Sequence, residues 1–265
     1  MATVREIYQY LDEMAPFSIQ MDFDNAGFLV GRGNRAVSKI LVSLDITEEV
    51  VEEACELGAE LIVAHHPVIF HPARSMTDGD PVGRILLSLV ENRIAAICAH
   101  TNLDAVCGGV NDALAARLGL EQVEQLQPEG LDASGRPYGI GRVGNAAGVP
   151  KYTPAFAAFV KEALGANGVR YVDARRPVRR VAVGGGACAD LMDQALAMGC
   201  DTFVTSDVKY NGFLDAKALG LNLIDAGHYP TENVVCPILA KWLENGFPKT
   251  EICLTNRHKE AFSYG

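Results

Sequence analysis

The sequence predicts an α/β fold, in which short buried strands alternate with amphipathic helices. Four-residue apolar runs such as Leu61–Ala64 end abruptly in polar residues, and they follow segments with apolar residues at helical spacing. The same order of helix, glycine, buried strand and polar residue occurs three times, ending at His66, Asp207 and His228. Because open α/β sheets bind ligands at the carboxyl ends of their strands, we expect these polar residues to lie at such ends.

The composition is that of an ordinary globular protein. The chain has 265 residues, of which 49% are hydrophobic and 21% charged, enough for one large core or two modest ones. The net charge of −10 argues against a nucleic-acid-binding surface, because such surfaces concentrate lysine and arginine to neutralise phosphates. A small phosphate-bearing substrate is compatible with this charge if metal ions or backbone amides hold it.

The cysteines and the first residues indicate a cytoplasmic protein. Seven cysteines lie mostly within apolar segments without any C-x-x-C pair, so we interpret them as reduced thiols. Residues 1–14 are amphipathic and acidic, unlike a secretory signal, and no apolar run approaches the ~20 residues of a membrane helix. No membrane partner is expected.

The first half of the chain alternates helices and strands. Apolar residues at helical spacing predict a first helix that ends before Pro16. A strand over 39–44 leads into a helix over 47–58, which has a threonine N-cap and a terminal glycine. After the predicted strand over 61–64, an Asp-Pro pair opens a helix over 80–92, and a further strand ends at His100.

A connector rich in glycine and proline divides the two predicted lobes. A helix over 108–118 and a strand over 122–126 precede this connector, which spans residues 128–137. The predicted lobes are therefore residues 1–127 and 128–265.

The stretch Gly184–Ala189 resembles a loose dinucleotide-binding loop of the form G-x-G-x-x-A and opens a predicted helix to Met198. A tight turn from strand to helix requires glycine in any case, and we favour this explanation. The rival hypothesis is an NAD-dependent oxidoreductase, which would be stabilised thermally by NAD.

Histidines and carboxylates at the predicted strand ends are the candidate metal ligands. Adjacent strand residues point to opposite faces, so His65 and His66 could serve two ions unless Pro67 ends the strand early enough to bring the rings together. Imidazole and carboxylate donors suit Fe, Mn or Zn. Five ligands are too many for one open catalytic ion, but they suffice for two ions bridged by a carboxylate. The five candidates are His65, His66, Asp104, His228 and Glu232.

Glu232 is the predicted bridging ligand. We expect it in the first turn of a helix over 230–245, where the helix dipole favours a carboxylate even without a metal. His100 and Asp207 are candidate acid–base residues, because each ends a strand and neither is needed as a ligand. For His100 we favour the alternative that it orients Asp104.

Five motifs of this chain recur together in one protein family; they are Asp24–Gly31, His65–Phe70, His100–Asp104, Ser206–Tyr210 and Asp225–Glu232. In sequence and order they resemble those of the GTP cyclohydrolase 1 type 2 homologue family, also called Nif-three-like. The His-His-Pro and Gly-His-x-x-Thr-Glu motifs are the most specific, and together the motifs span nearly the whole chain. Asn211 stands where the family usually has histidine.

The resemblance implies two interlinked α/β lobes, a dinuclear metal site formed by the five candidate ligands, and a ring-shaped homohexamer. The C-terminal part of the second lobe, about residues 226–265, would return to complete that site. The implied activity is metal-dependent hydrolysis of a small molecule, such as the ring of a nucleotide or a related heterocycle. The alternative is a non-catalytic metal-binding oligomer with a storage, trafficking or regulatory role.

Overall fold

The computed structural model describes residues 1–264, which form two compact units. The first unit comprises Met1–Leu103 and Cys236–Lys259, and the second comprises Asp104–Val235 and the residues from Glu260 onward. The polypeptide therefore leaves the first unit after Leu103, returns to it at Cys236 and enters the second unit again at Glu260.

The described residues form short strands and helices. The strands are β1 (Ala2–Thr3), β2 (Gly27–Val30), β3 (Ala36–Val37), β4 (Lys39–Ser43), β5 (Leu61–Ala64), β6 (Ala95–Cys98), β7 (Leu120–Leu131), β8 (Pro137–Ala146), β9 (Arg170–Val172), β10 (Arg180–Val183), β11 (Thr202–Thr205), β12 (Asn222–Asp225) and β13 (Glu251–Leu254). The α-helices are α1 (Val4–Met14), α2 (Glu48–Leu57), α3 (Pro81–Glu91), α4 (Thr101–Ala105), α5 (Val110–Arg117), α6 (Thr153–Leu164), α7 (Met192–Ala197), α8 (Tyr210–Leu219), α9 (His228–Glu232) and α10 (Cys236–Gly246). Within residues 1–264, no helix combines the length and hydropathy required to span a membrane.

The first unit is built on a five-stranded sheet in the order β13-β4-β5-β6-β2, parallel except for the edge strand β2. Strands β5 and β6 are fully buried apolar runs, as is typical of parallel strands covered on both faces. Helices α2 and α3 contribute Val51 and Leu89 to one core cluster with Ile62 of β5. Because β5 and β6 are parallel neighbours, the residues that follow them lie at the same edge of the sheet.

The second unit contains a six-stranded sheet in the order β7-β8-β10-β11-β12-β9. Its three central strands, β10, β11 and β12, are parallel, and Phe156 of α6 packs in one cluster with Val181 and Ile224 of these strands. The parallel strands β11 and β12 end side by side, and each is followed within three residues by a predicted site residue, Asp207 and His228 respectively.

Residues 128–137, predicted as the connector between lobes, instead belong to a β-hairpin of the second unit. Strand β7 runs through the predicted division between residues 127 and 128 and pairs antiparallel with β8. The carboxylate of Asp132 closes the turn by accepting a hydrogen bond from the backbone N–H of Arg136 at 2.9 Å. The glycine and proline of this segment thus serve an irregular strand and a tight turn. The compact units divide after Leu103 instead.

Two predicted helices are interrupted. The helix expected from residue 184 begins only as a 3₁₀ turn at Ala189–Leu191, followed by α7. The helix expected over 230–245 is divided into α9, a 3₁₀ turn at Asn233–Val235, and α10. Glu232 is therefore the last residue of a five-residue helix and does not lie in the first turn of a long one.

Candidate metal centre

Three histidine rings meet at the carboxyl ends of β5 and β6 in the first unit. The ring centroids of His65 and His66 lie 4.8 Å apart, and that of His100 lies 5.2 and 5.4 Å from them. One nitrogen of each ring lies within 4.8 Å of one nitrogen of the other two, so the three rings could hold a metal ion. Strand β5 ends at Ala64, before both histidines, so the two adjacent rings come together.

Each of these rings is fixed through its Nδ1 atom. The Nδ1 of His65 lies 2.8 Å from the Ala99 carbonyl oxygen, that of His66 lies 2.8 Å from Asp45 Oδ1, and that of His100 lies 2.8 Å from Asp24 Oδ1. Since a carbonyl or carboxylate oxygen only accepts, each Nδ1 carries the proton, and Nε2 is the atom that each ring can offer a metal.

Asp24 is an anion buried against His100. Its side chain is 0% exposed, and it also accepts hydrogen bonds from the backbone N–H and the hydroxyl of Thr101, at 3.0 and 2.5 Å. Burial would raise the pKa of Asp24, but the hydrogen bonds from His100 and Thr101 outweigh it and lower the pKa to about 2. The carboxylate is therefore charged at neutral pH and orients the His100 ring.

Asp45 links two histidines. It accepts from His66 at Oδ1 and from His258 Nε2 at Oδ2, the latter at 2.7 Å. Burial opposes its charge, but the two histidines outweigh burial and hold the pKa of Asp45 well below its usual range. The segment that carries His258 is itself fixed, because the Glu53 carboxylate accepts from the backbone N–H of Asn256 at 2.9 Å.

The second unit brings three other candidate ligands together. The His228 Nδ1 donates to Asp207 Oδ2 at 2.7 Å, and its Nε2 lies 2.9 Å from Glu232 Oε2. Carboxylate oxygens of Asp104 and Glu232 lie within 4.8 Å of one another. The pairing of Nδ1 with a carboxylate repeats the arrangement of His66 and His100 in the first unit. Imidazole and carboxylate donors in this pattern suit a divalent ion of intermediate hardness.

Glu232 lies against the glycine-rich loop that follows β10. It is 3% exposed, and a Cβ built on Gly186 would lie only 2.1 Å from its Oε1 atom. The Gly186 N–H also donates to the Thr231 hydroxyl at 3.1 Å, which fixes the loop against α9. A pyrophosphate at Gly186 would meet this like-charged carboxylate, so the geometry gives no support to the dinucleotide hypothesis.

The two predicted acid–base residues each contact another site residue. His100 packs against His65 and His66 and is fixed by Asp24, while Asp207 fixes His228. Asp207 has a φ of +53°, a left-handed backbone conformation that aspartate tolerates better than most residues. Their assignment as acid–base residues, and the predicted orienting of Asp104 by His100, stay predictions.

Partners of the histidines were the main omission of the sequence analysis. Asp45 follows β4 as His65 follows β5, so its place at a strand end can be predicted from the sequence, but its hydrogen bonds to His66 and His258 cannot. Asp24 lies in an Asp-Asn-Ala-Gly segment whose local pattern predicts only a turn. His258 lies in a polar tail without periodicity, and only the folded structure brings it to Asp45.

Comparison with known proteins decides the family. Residues 2–261 match the family profile described as Duf34/NIF3 (NGG1p interacting factor 3). The chain belongs to the DUF34/NIF3 family. This membership confirms the family resemblance that the five motifs indicated, and it confirms the α/β fold.

Individual DUF34/NIF3 relatives match over nearly the whole chain. A Clostridium perfringens protein named GTP cyclohydrolase 1 type 2 homolog is 33% identical over 265 residues, covering 98% of this chain and 99% of the relative. A Streptomyces coelicolor protein of the same name is 36% identical over 248 residues, covering 92% and 86%. The crystal structure of a Bacillus cereus protein related to NIF3 matches with a TM-score of 0.92 at 27% identity, covering 100% and 99%.

Proposed function

We propose that this protein binds two divalent metal ions per chain, Fe, Mn or Zn, and is a metal-dependent hydrolase. The proposed ligands are His65, His66, Asp104, His228 and Glu232, with the Glu232 carboxylate bridging the ions. The observation that carries the proposal is the fixed Nδ1 of His65, His66 and His228, because a proton held at Nδ1 prepares Nε2 as a ligand.

The chain's own residues would divide the remaining tasks. Bound divalent ions would supply Lewis acidity and lower the pKa of bound water toward neutrality. His100, with its Nδ1 proton directed at Asp24, could exchange a proton with substrate at Nε2. Asp207 would keep the His228 ring in place. Because Asp207 also lines a cleft in the second unit, it could contact substrate there. The proposed substrate, a nucleotide or a related heterocycle, is supported by the names of the relatives.

The charge of that cleft favours a second candidate function. The cleft measures about 790 Å³ and has one lysine, Lys209, against four aspartates, Asp190, Asp193, Asp207 and Asp215. Such a wall repels the phosphates of a nucleotide. A non-catalytic metal-binding oligomer with a storage, trafficking or regulatory role is the alternative that this observation supports.

Metal analysis of purified protein tests the binding proposal. We expect two ions per chain by inductively coupled plasma mass spectrometry in the wild type. The metal content of Glu232→Ala should fall below one ion per chain, because both ions lose a ligand. The exposed Glu129→Ala is the matched control and should keep both ions. Full occupancy in Glu232→Ala would contradict the bridging assignment, whereas loss of one ion alone would show that the carboxylate serves a single ion.

A substrate screen separates the two candidate functions. Metal-loaded wild type, His100→Ala and Asp207→Asn would be incubated with GTP, other nucleotides and phosphodiesters, and the products followed by mass spectrometry. Turnover by the wild type that falls at least 100-fold in His100→Ala supports a hydrolase with His100 in acid–base catalysis. Inactivity at full metal occupancy supports the binding function instead.

We further propose a cytoplasmic homohexamer. No disulfide joins cysteines anywhere in residues 1–264, which fits a reducing compartment. The hexamer is an implication of the family resemblance. Light scattering coupled to size exclusion should give the mass of six chains of 28.4 kDa each, and a monomer mass would refute it.

A further inference from the structure

The first unit contains a cleft of its own, at the end of its sheet opposite to the histidines. It measures about 900 Å³ and is lined by Gly31, Arg32, Asn34 and Arg35 of one turn, by Leu89 and Val90 of α3, and by Arg93 and Ile94. Arg93 precedes β6 by two residues, whereas His100 follows β6 by two. At the rise of an extended chain, their Cα atoms are roughly 20 Å apart. The cleft is therefore separate from the candidate metal ligands.

Three arginines line this cleft and a fourth lies next to its turn, all without a carboxylate partner in the part of the chain that the structure describes. Arg32, Arg35 and Arg93 line it, and Arg5 packs behind the turn, 3.0 Å from the position of a Cβ on Gly33. Within residues 1–264, none of the four forms an ion pair with a carboxylate, although Arg84 and other arginines do. In a chain of net charge −10, a cluster of uncompensated arginines provides a local binding surface for an anion.

Arg93 also occupies a backbone position that glycine normally fills. Its φ is +58°, and the last turn of α3 closes with hydrogen bonds from Arg93 N to Val90 O and from Ile94 N to Leu89 O. Helices α2, α6, α7 and α8 close with the same pair of bonds, and in all four the left-handed residue is glycine, namely Gly58, Gly165, Gly199 and Gly220. Only α3 of these five helices carries a strained side chain there, and that side chain lines the cleft.

The walls of the cleft are preorganised. Arg35 donates from its guanidinium to the carbonyl of Arg93, which joins the turn to the start of β6. The same turn is fixed by hydrogen bonds from Val4 N to Arg35 O and from Arg5 N to Gly33 O, at 3.0 and 2.9 Å. Ordering these residues therefore adds little entropic penalty to ligand binding.

The floor of the cleft is apolar. Leu89 and Ile94 are buried beneath it, and Val90 is 52% exposed beside it. A lining that combines arginines with apolar residues matches a ligand with charged and apolar parts. We propose that this cleft binds a small molecule that carries a phosphate chain and an apolar or aromatic group. This second site is independent of the proposed metal-dependent function.

Isothermal titration calorimetry with ATP, sodium tripolyphosphate and adenosine tests the site. Wild type should bind ATP more tightly than tripolyphosphate, and adenosine at least 10-fold more weakly than ATP. Raising NaCl from about 50 to 200 mM should weaken the binding of both anions. Equal affinities for ATP and tripolyphosphate would overturn the role of the apolar floor.

Arg93→Gly is the decisive variant, because it removes the guanidinium and relieves the backbone strain at once. We expect at least a 10-fold rise in the Kd for ATP together with a Tm raised by about 2–4 °C. Arg32→Gln should weaken ATP binding to a similar extent. Arg117→Gln, on an exposed face of α5, is the control and should leave the Kd for ATP unchanged.

Unchanged ATP affinity in Arg93→Gly and Arg32→Gln would overturn the proposal, since ATP bound at metal ligands would persist in both. Absence of binding to wild type at 1 mM ATP would also overturn it. A change in oligomeric mass in Arg93→Gly would assign the arginines to contacts between copies of the chain instead.

Discussion

The two units bury their histidines and the partners of these histidines to different extents. In the first unit, His65 is fully buried and the Asp24 carboxylate that fixes His100 is 0% exposed. In the second unit, the His228 side chain is 37% exposed and its partner Asp207 is 53% exposed. Buried partners cannot exchange their hydrogen bonds for water, so the fold itself orients His65 and His100. His66, whose partner Asp45 is 39% exposed, is intermediate, and His228 with Asp207 is the most open to solvent.

Glu232 differs from its neighbour His228. It is buried and confined by Gly186, although both residues belong to the five-residue helix α9. The second unit thus combines a buried carboxylate with a partly exposed imidazole. This contrast with the first unit can be tested by removing the groups that hold each ligand in place.

The largest effect is expected at Gly186. In Gly186→Ala the new Cβ would overlap the Glu232 carboxylate, so this side chain must turn away and the affinity for metal should fall at least 10-fold. Gly199→Ala is the matched control, because its φ of +76° imposes similar backbone strain in open space. Gly199→Ala should lose about 1 kcal/mol of folding free energy, measured by urea denaturation, and Gly186→Ala should lose more because its Cβ also displaces a buried carboxylate. Equal metal affinities in the two variants would show that Gly186 does not position Glu232.

The next largest effect is expected at Asp24, which can be compared with Asp207. A pKa of about 2, against an ordinary value of 3.8, corresponds to roughly 2 kcal/mol of stability. Asp24→Asn should lose this amount at pH 7, whereas Asp207→Asn should change stability by less than about 0.5 kcal/mol because it is exposed. Urea denaturation of metal-free protein measures both. Equal losses would contradict the contrast between the units.

The same pair of variants has a defined dependence on pH. Because the pKa of Asp24 is lowered by folding, its contribution is complete above about pH 4 and is lost as the pH falls toward 2. The stability difference between wild type and Asp24→Asn should therefore shrink to about half by pH 3. A difference that stays constant between pH 7 and pH 3 would show that the carboxylate is not selectively stabilised.

A smaller effect is expected at His258, which acts on His66 through Asp45. His258→Gln should reduce metal affinity severalfold in competition with a chelator, because Asp45 is then less firmly placed. It should lower stability by no more than about 1 kcal/mol. The exposed His71→Gln should change neither quantity. Identical metal affinity in the two variants would limit His258 to a structural role.

The sequence predicted those features that depend on local pattern. Buried apolar runs marked β5 and β6, and the polar residues after them were correctly placed at strand ends. The early end of β5 was foreseen as one of two alternatives, since Pro67 cannot continue the ladder. These features depend on hydrophobicity and backbone chemistry within a few residues.

Features that depend on distant contacts escaped prediction. Near the end of α9, the Thr231 hydroxyl donates to the Gly227 carbonyl and accepts from the Gly186 N–H, 45 residues away in the chain. The pairing of His258 with Asp45 spans 213 residues. Neither leaves a periodic signal, because each depends on single polar contacts made by the folded chain.

Strand β13 has a consequence for how the chain is made. It covers the outer edge of β4, yet about 200 residues separate the two strands in the sequence. At translation rates of about 5–20 residues per second, the apolar β4 is synthesised roughly 10–40 s before β13. An uncovered edge recruits other chains. The aggregation hazard during production therefore lies in that interval on the ribosome, before the finished fold exists.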